Sequence, residues 1–112
     1  MSICLIVQSK VAYKKLSDCG WSHHVYIVEK TKPTAKDFNN IDALAEKFDT
    51  VVLLPDMDLR GQLFASRVVN RNKAIIALAL NADMITDSAG ARLENLDDNY
   101  LQNVLQGIET MY

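Results

Sequence analysis

The chain has 112 residues, 49% of them hydrophobic and 23% charged, with 14 acidic and 12 basic side chains and a net charge of -2. That balance allows one compact domain over residues 1–112 with an independent core, and it excludes a disordered chain. It also argues against a generic nucleic-acid coat, whose affinity comes from clustered lysine and arginine. The local groups Lys10, Lys14, Lys15 and Arg67, Arg71, Lys73 read first as solvated faces. Cys4 and Cys19 have no framework spacing, so a reduced, cytoplasmic protein is expected. The apolar run from Ile3 to Val7 is too short for a signal-peptide core or a bilayer span, and no membrane partner is expected.

In chain order, residues 2–8 are nearly continuous apolar sequence, the pattern of a strand covered on both faces. Gln8-Ser9-Lys10 closes it. Residues 11–16 predict a short helix with Gly20 as its C-terminal cap, and His24 to Glu29 a second strand. Lys30-Thr31-Lys32-Pro33 breaks that strand, and Thr34 with Asp37 resembles a capping box. Phe38, Ile41, Leu44, Ala45 and Phe48 then recur at helical spacing.

Val51-Val52-Leu53-Leu54 predicts a third buried strand, which emerges into Pro55-Asp56-Met57-Asp58-Leu59-Arg60-Gly61. Gly61 is expected to permit a sharp turn before a helix over Gln62 to Val69. Residues 74–80 predict a fourth strand and Asp83 to Arg92 a loop. Asp97-Asp98 opens a terminal helix whose buried stripe is Tyr100, Leu101, Val104, Leu105 and Ile108.

The alternation predicts an α/β fold: one domain with a four-stranded, mainly parallel sheet and helices on both faces, Rossmann-like in kind. In such a sheet the ends of the first and third strands face one crevice, which brings Gln8 towards Asp56 and Asp58. Two carboxylates one residue apart suit Mg²⁺ or Mn²⁺, hard cations that take one or two protein carboxylates and fill the remaining positions with water or phosphate oxygens. Such an ion can orient a phosphodiester and stabilise charge on its oxygens.

Asp56-Met57-Asp58-Leu59-Arg60-Gly61 after an apolar strand resembles the Asp-x-Asp-x-x-Gly motif of the Toprim domain. That catalytic module is shared by topoisomerases, bacterial primases and small ribonucleases that mature ribosomal RNA. Leu5-Ile6-Val7-Gln8-Ser9 is similar to the family's other motif, a strand that ends in Glu followed by Gly or Ser. Arg92-Leu93-Glu94-Asn95 before the closing helix is similar to the ribosomal-RNA-processing branch. The resemblance covers residues 3–80 best. It implies a Toprim-like fold, a divalent metal on Asp56 and Asp58, and DNA or RNA as partner.

The departures carry equal weight. Gln8 stands where the family has the Glu that serves as general acid or base, and an amide does not exchange protons usefully near neutral pH. Gln62 stands where topoisomerases carry a further Glu. The resemblance therefore implies a module whose active centre is degenerate and whose role is binding or regulation; if active, it would cleave or transfer nucleic-acid phosphodiesters with Mg²⁺.

Lys10 and Arg60 are candidate phosphate contacts, against a solvated lysine and an arginine that neutralises the aspartates. Glu29 is a candidate substitute ligand, against a surface ion pair. Cys19, His23 and His24 fall short of a four-ligand zinc set. Two other classes remain: an interaction module or inhibitor that binds a protein partner, and a receiver-like signalling domain with an aspartate phosphoacceptor.

Overall fold

Ile3–Val7 form β1, the strand on which the sheet is built, and every one of its five side chains is buried. In the computed structural model, which describes residues 2–29, 33–85 and 90–111, β1 pairs on one edge with β2 (His24–Ile27) and on the other with β3 (Thr50–Leu53). β4 (Ile75–Ala77) lies beyond β3, giving the order β2-β1-β3-β4 with every pair parallel. A strand hydrogen-bonded on both edges and covered on both faces has no side for polar residues, which is why this run does not alternate.

Side chains alternate across the sheet and feed two cores. Ile3, Leu5, Val7, Val52 and Leu54 pack with α1 (Lys10–Asp18) and α4 (Asp98–Met111), whereas Cys4, Ile6, Val51 and Leu53 pack with α2 (Ala35–Lys47) and α3 (Leu59–Arg71). The domain is therefore an α/β sandwich with helices on both faces. Trp21 is buried in the first of these cores. Among the described residues no helix is long and apolar enough to cross a membrane.

The helix ends are set by local chemistry. The Ser9 hydroxyl accepts the Ala12 N–H at 3.0 Å to start α1. Gly20 ends it with φ +95°, the Trp21 N–H reaching the Leu16 carbonyl and the Gly20 N–H the Ser17 carbonyl, each at 3.0 Å. The capping box of α2 forms with Asp37 as the acidic partner: Thr34 N–H donates to Asp37 Oδ2 at 2.8 Å, and Asp37 N–H to Thr34 Oγ1 at 3.3 Å. Asp97 caps α4 by accepting the Tyr100 N–H at 3.0 Å, while Asp98 in its first turn pairs with Lys15 of α1.

Two stretches differ from expectation. β4 covers three residues rather than 74–80. After Leu78 N–H bonds the Leu53 carbonyl at 3.0 Å, the neighbouring chain continues into Leu54-Pro55, and Pro55 has no N–H with which to extend the ladder.

The expected loop over 83–92 is partly built structure. One 3-10 turn spans Ala82–Met84 and a second Leu93–Asn95. An antiparallel bridge joins Ile85 to Leu96, and Asp97 N–H donates to the Met84 carbonyl at 2.8 Å. Leu93 and Leu96 have no exposed surface and belong to the core under α1 and α4. Residues 86–89 of that stretch, and Lys30 to Lys32 of the strand break, lie outside the described residues.

Candidate functional site

The strand order runs outward from β1 in both directions, so the crevice at the carboxyl ends of β1 and β3 is the switch point of the sheet, where open α/β folds bind ligands. A cleft of about 250 Å³ opens there, lined by Gln8, Ser9, Glu29, Pro33, Asp56, Asp58, Arg60, Phe64, Arg92 and Glu94.

Gln8 follows β1 directly, and its Oε1 accepts the Asp56 N–H at 2.8 Å. A backbone N–H only donates, so the atom facing it is the carboxamide oxygen, and the NH₂ is the group left to bond elsewhere. The side chain thus ties the end of β1 to the end of β3. Asp58 is the N-cap of α3, its Oδ1 accepting the Gly61 N–H at 2.8 Å.

Gly61 does not make the expected sharp turn. It sits in the first turn of α3 and is not among the glycines with positive φ. A Cβ on it would lie 2.0 Å from the Asp56 carbonyl oxygen and 2.7 Å from the carbonyl carbon. The glycine is required by close approach: α3 packs onto the backbone of the residue that carries the first carboxylate.

Asp56 reaches the other way. Its Oδ1 accepts the Leu93 N–H at 3.0 Å, and the adjacent Met57 N–H donates to the Ala91 carbonyl at 2.8 Å, so the 91–93 segment is bonded to the corner. Burial pushes the Asp56 carboxyl up from its usual range; the Leu93 N–H and Arg92 oppose that, and the charges of Glu94 and Asp58 add to it. Glu94 Oε2 is buried in the same region with no hydrogen-bond partner among the described residues.

Among the candidate cations, Arg60 lines the cleft and Lys10 does not. The Lys10 ammonium is highly exposed and lies 3.8 Å from Glu29, the bland arrangement for both residues. Arg92 and Glu94 complete the cleft wall, a placement not anticipated from the sequence. The usable signal was the pair Leu93 and Leu96, isolated apolar residues in a polar stretch, whose burial forces their neighbours onto a surface.

No group of three or more His, Cys, Asp or Glu among the described residues could hold a metal. Asp56 and Asp58 each give one oxygen to a backbone N–H, and what remains suits an ion that keeps most of its own water, as Mg²⁺ does. The Cys19, His23 and His24 group does not converge. His23 packs edge-on against Trp21 and His24 edge-on against Phe48, each with ring centroids 4.9 Å apart, and these aromatics belong to opposite cores. Burial pushes the Cys4 thiol up to about 11 and raises that of Cys19, so neither is an activated nucleophile.

No protein-family model matches the chain, and comparison with curated proteins gives no match. The chemistry of the corner itself therefore carries the functional reading. Four carboxylates, Glu29, Asp56, Asp58 and Glu94, share the cleft with two guanidiniums, Arg60 and Arg92. A bare phosphate is repelled by such a balance, and a divalent cation cancels it.

Proposed function

We propose that this chain is a cytoplasmic, Toprim-like module that holds DNA or RNA through a divalent ion at Asp56 and Asp58 and does not cut it. The observation that carries the reading is the 2.8 Å bond from Asp56 N–H to Gln8 Oε1. At the position where strand cleavage needs an acid or base, the side chain acts as neither near neutral pH, and its acceptor oxygen is committed to the backbone. Its NH₂ is suited to donate to a phosphate oxygen.

The excess of carboxylates over guanidiniums in the cleft supports a cation as the bridge to phosphate; burial first, and the charges of Glu94 and Asp58 after it, hold the Asp56 carboxyl above its usual range. When bound, the ion would neutralise the carboxylates and orient the phosphodiester. The free thiols of Cys4 and Cys19 support a reducing setting.

The test is fluorescence anisotropy of a labelled oligonucleotide titrated with protein, with and without Mg²⁺. Binding is expected to require the ion, and to weaken by about tenfold or more in Asp56→Asn and in Asp58→Asn. Binding that ignores both Mg²⁺ and these substitutions contradicts the reading and favours a protein-interaction role.

A further inference from the structure

Arg92 stands on a short turn whose position is over-determined. Leu93 is fully buried, its N–H donates to Asp56 Oδ1 at 3.0 Å, and two residues earlier the Ala91 carbonyl accepts the Met57 N–H at 2.8 Å. With Leu93 held inward, Arg92 and Glu94 on either side of it line the cleft. Arg60 enters the same space from the first turn of α3.

Neither guanidinium makes an ion pair or hydrogen bond among the described residues, although carboxylates share the cleft with them. One oxygen each of Asp58 and Asp56 accepts a backbone N–H, from Gly61 and Leu93, and Glu29 faces Lys10. Two planar, always-charged donors from different elements therefore face one cavity of about 250 Å³ with their hydrogen-bonding capacity unspent.

We infer that Arg92 and Arg60 form a two-sided grip on a phosphate group, with Asp56 as the positioning residue that holds the Arg92 turn in place. This rests on the phosphate-binding reading above and adds a binding residue from the C-terminal part of the chain. It also gives Asp56 a role that does not depend on its charge, because the bond from Leu93 N–H needs only an oxygen acceptor. Asn at position 56 keeps that bond and Ala does not.

The experiment titrates the full chain with two probes in Mg²⁺, a labelled single-stranded oligonucleotide followed by anisotropy and inorganic phosphate followed by calorimetry. Wild type is compared with Arg92→Ala, Arg92→Lys and Arg60→Ala. Each alanine variant is expected to bind about tenfold more weakly. For the oligonucleotide, the slope of log affinity on log salt should fall by about 0.7 for each phosphate that the variant no longer neutralises, with Arg92→Lys restoring the slope but not the full affinity.

Amide hydrogen exchange at Leu93 supplies the second readout. It should accelerate in Asp56→Ala and stay slow in Asp56→Asn. Arg92 is exposed and its substitution leaves the core intact, so a change in binding reports the grip rather than folding.

Arg92-dependent binding of either probe supports the grip. If phosphate binds in this way and the oligonucleotide does not, the grip stands and the nucleic-acid reading falls. Oligonucleotide binding that depends on Mg²⁺ but is indifferent to Arg92→Ala overturns the grip and leaves the wider reading standing. Wild type that binds neither probe overturns both.

Discussion

Two neighbouring hollows share Asp56 and differ in almost everything else. The cleft at the ends of β1 and β3 holds about 250 Å³ and is walled mainly by charged and amide side chains; the trough beside β4 holds about 260 Å³ and is walled by Pro55, Met57, Ala65, Ala77, Leu78 and Leu80 among others. In the trough, side chains contribute apolar surface and little chemistry. In the cleft, the central polar groups bond backbone amides: Gln8 that of Asp56 and Asp56 that of Leu93, each from a distant segment, and Asp58 that of Gly61 in the helix it caps.

The difference teaches that the corner's polar residues are folding groups as well as site groups. Each of those bonds needs an oxygen acceptor and none needs a negative charge. The charges are therefore surplus to the fold, which is what a cation site requires.

The largest effect is expected where the turn that carries Arg92 and Glu94 is anchored in the core. Leu93→Ala should cost about 3–4 kcal/mol in urea unfolding, because a fully buried leucine leaves a cavity and releases the strap that carries Arg92. Gly61→Ala comes next, at about 2–3 kcal/mol, since its Cβ meets the Asp56 carbonyl oxygen at 2.0 Å and one backbone must give way. Ala79→Ser on the exposed rim of the trough should stay within about 0.5 kcal/mol of wild type. Equal costs for Gly61→Ala and Ala79→Ser would erase the distinction between the two hollows.

The cap and the charges of the corner act more gently than Leu93 and Gly61. Asp58→Ala removes the cap of α3 and should cost about 1 kcal/mol, whereas Asp58→Asn caps nearly as well and should leave unfolding almost unchanged while weakening Mg²⁺-dependent binding. Asp56 provides the finest test. Its folded carboxyl binds a proton more tightly than the unfolded one, so its contribution favours the fold at acid pH and is lost as pH rises through the raised folded value. Asp56→Asn keeps the acceptor for Leu93 and removes the charge. It should therefore be slightly more stable than wild type at neutral pH, an advantage that fades in acid, measured as the midpoint of urea unfolding across pH.

Much of the architecture was legible because its signals are local. The apolar run at Ile3–Val7, the Thr34 and Asp37 box, the Gly20 cap and the stripe from Leu101 to Ile108 each report a period or a cap, and each formed. The juxtaposition of Gln8 with Asp56 followed from topology, since parallel strands place their carboxyl ends together. What escaped was long-range. The length of β4 depends on Pro55 in the neighbouring strand extension, and the reason for Gly61 lies in its close approach to the Asp56 backbone rather than in its own dihedrals. The turn at Leu93–Asn95 has no periodicity, so only the burial of Leu93 and Leu96 shows that Arg92 and Glu94 belong to the cleft.

On the proposed function, the corner binds nucleic acid through a divalent ion without the group needed to cut it. The most direct measurement is a time course of an end-labelled oligonucleotide incubated with wild-type protein in Mg²⁺, separated on a denaturing gel beside Gln8→Glu and Asp56→Ala. Wild type is expected to leave the oligonucleotide intact, and Gln8→Glu to introduce Mg²⁺-dependent nicking. Cleavage by the unmodified protein, abolished by Asp56→Ala, would contradict the proposed function.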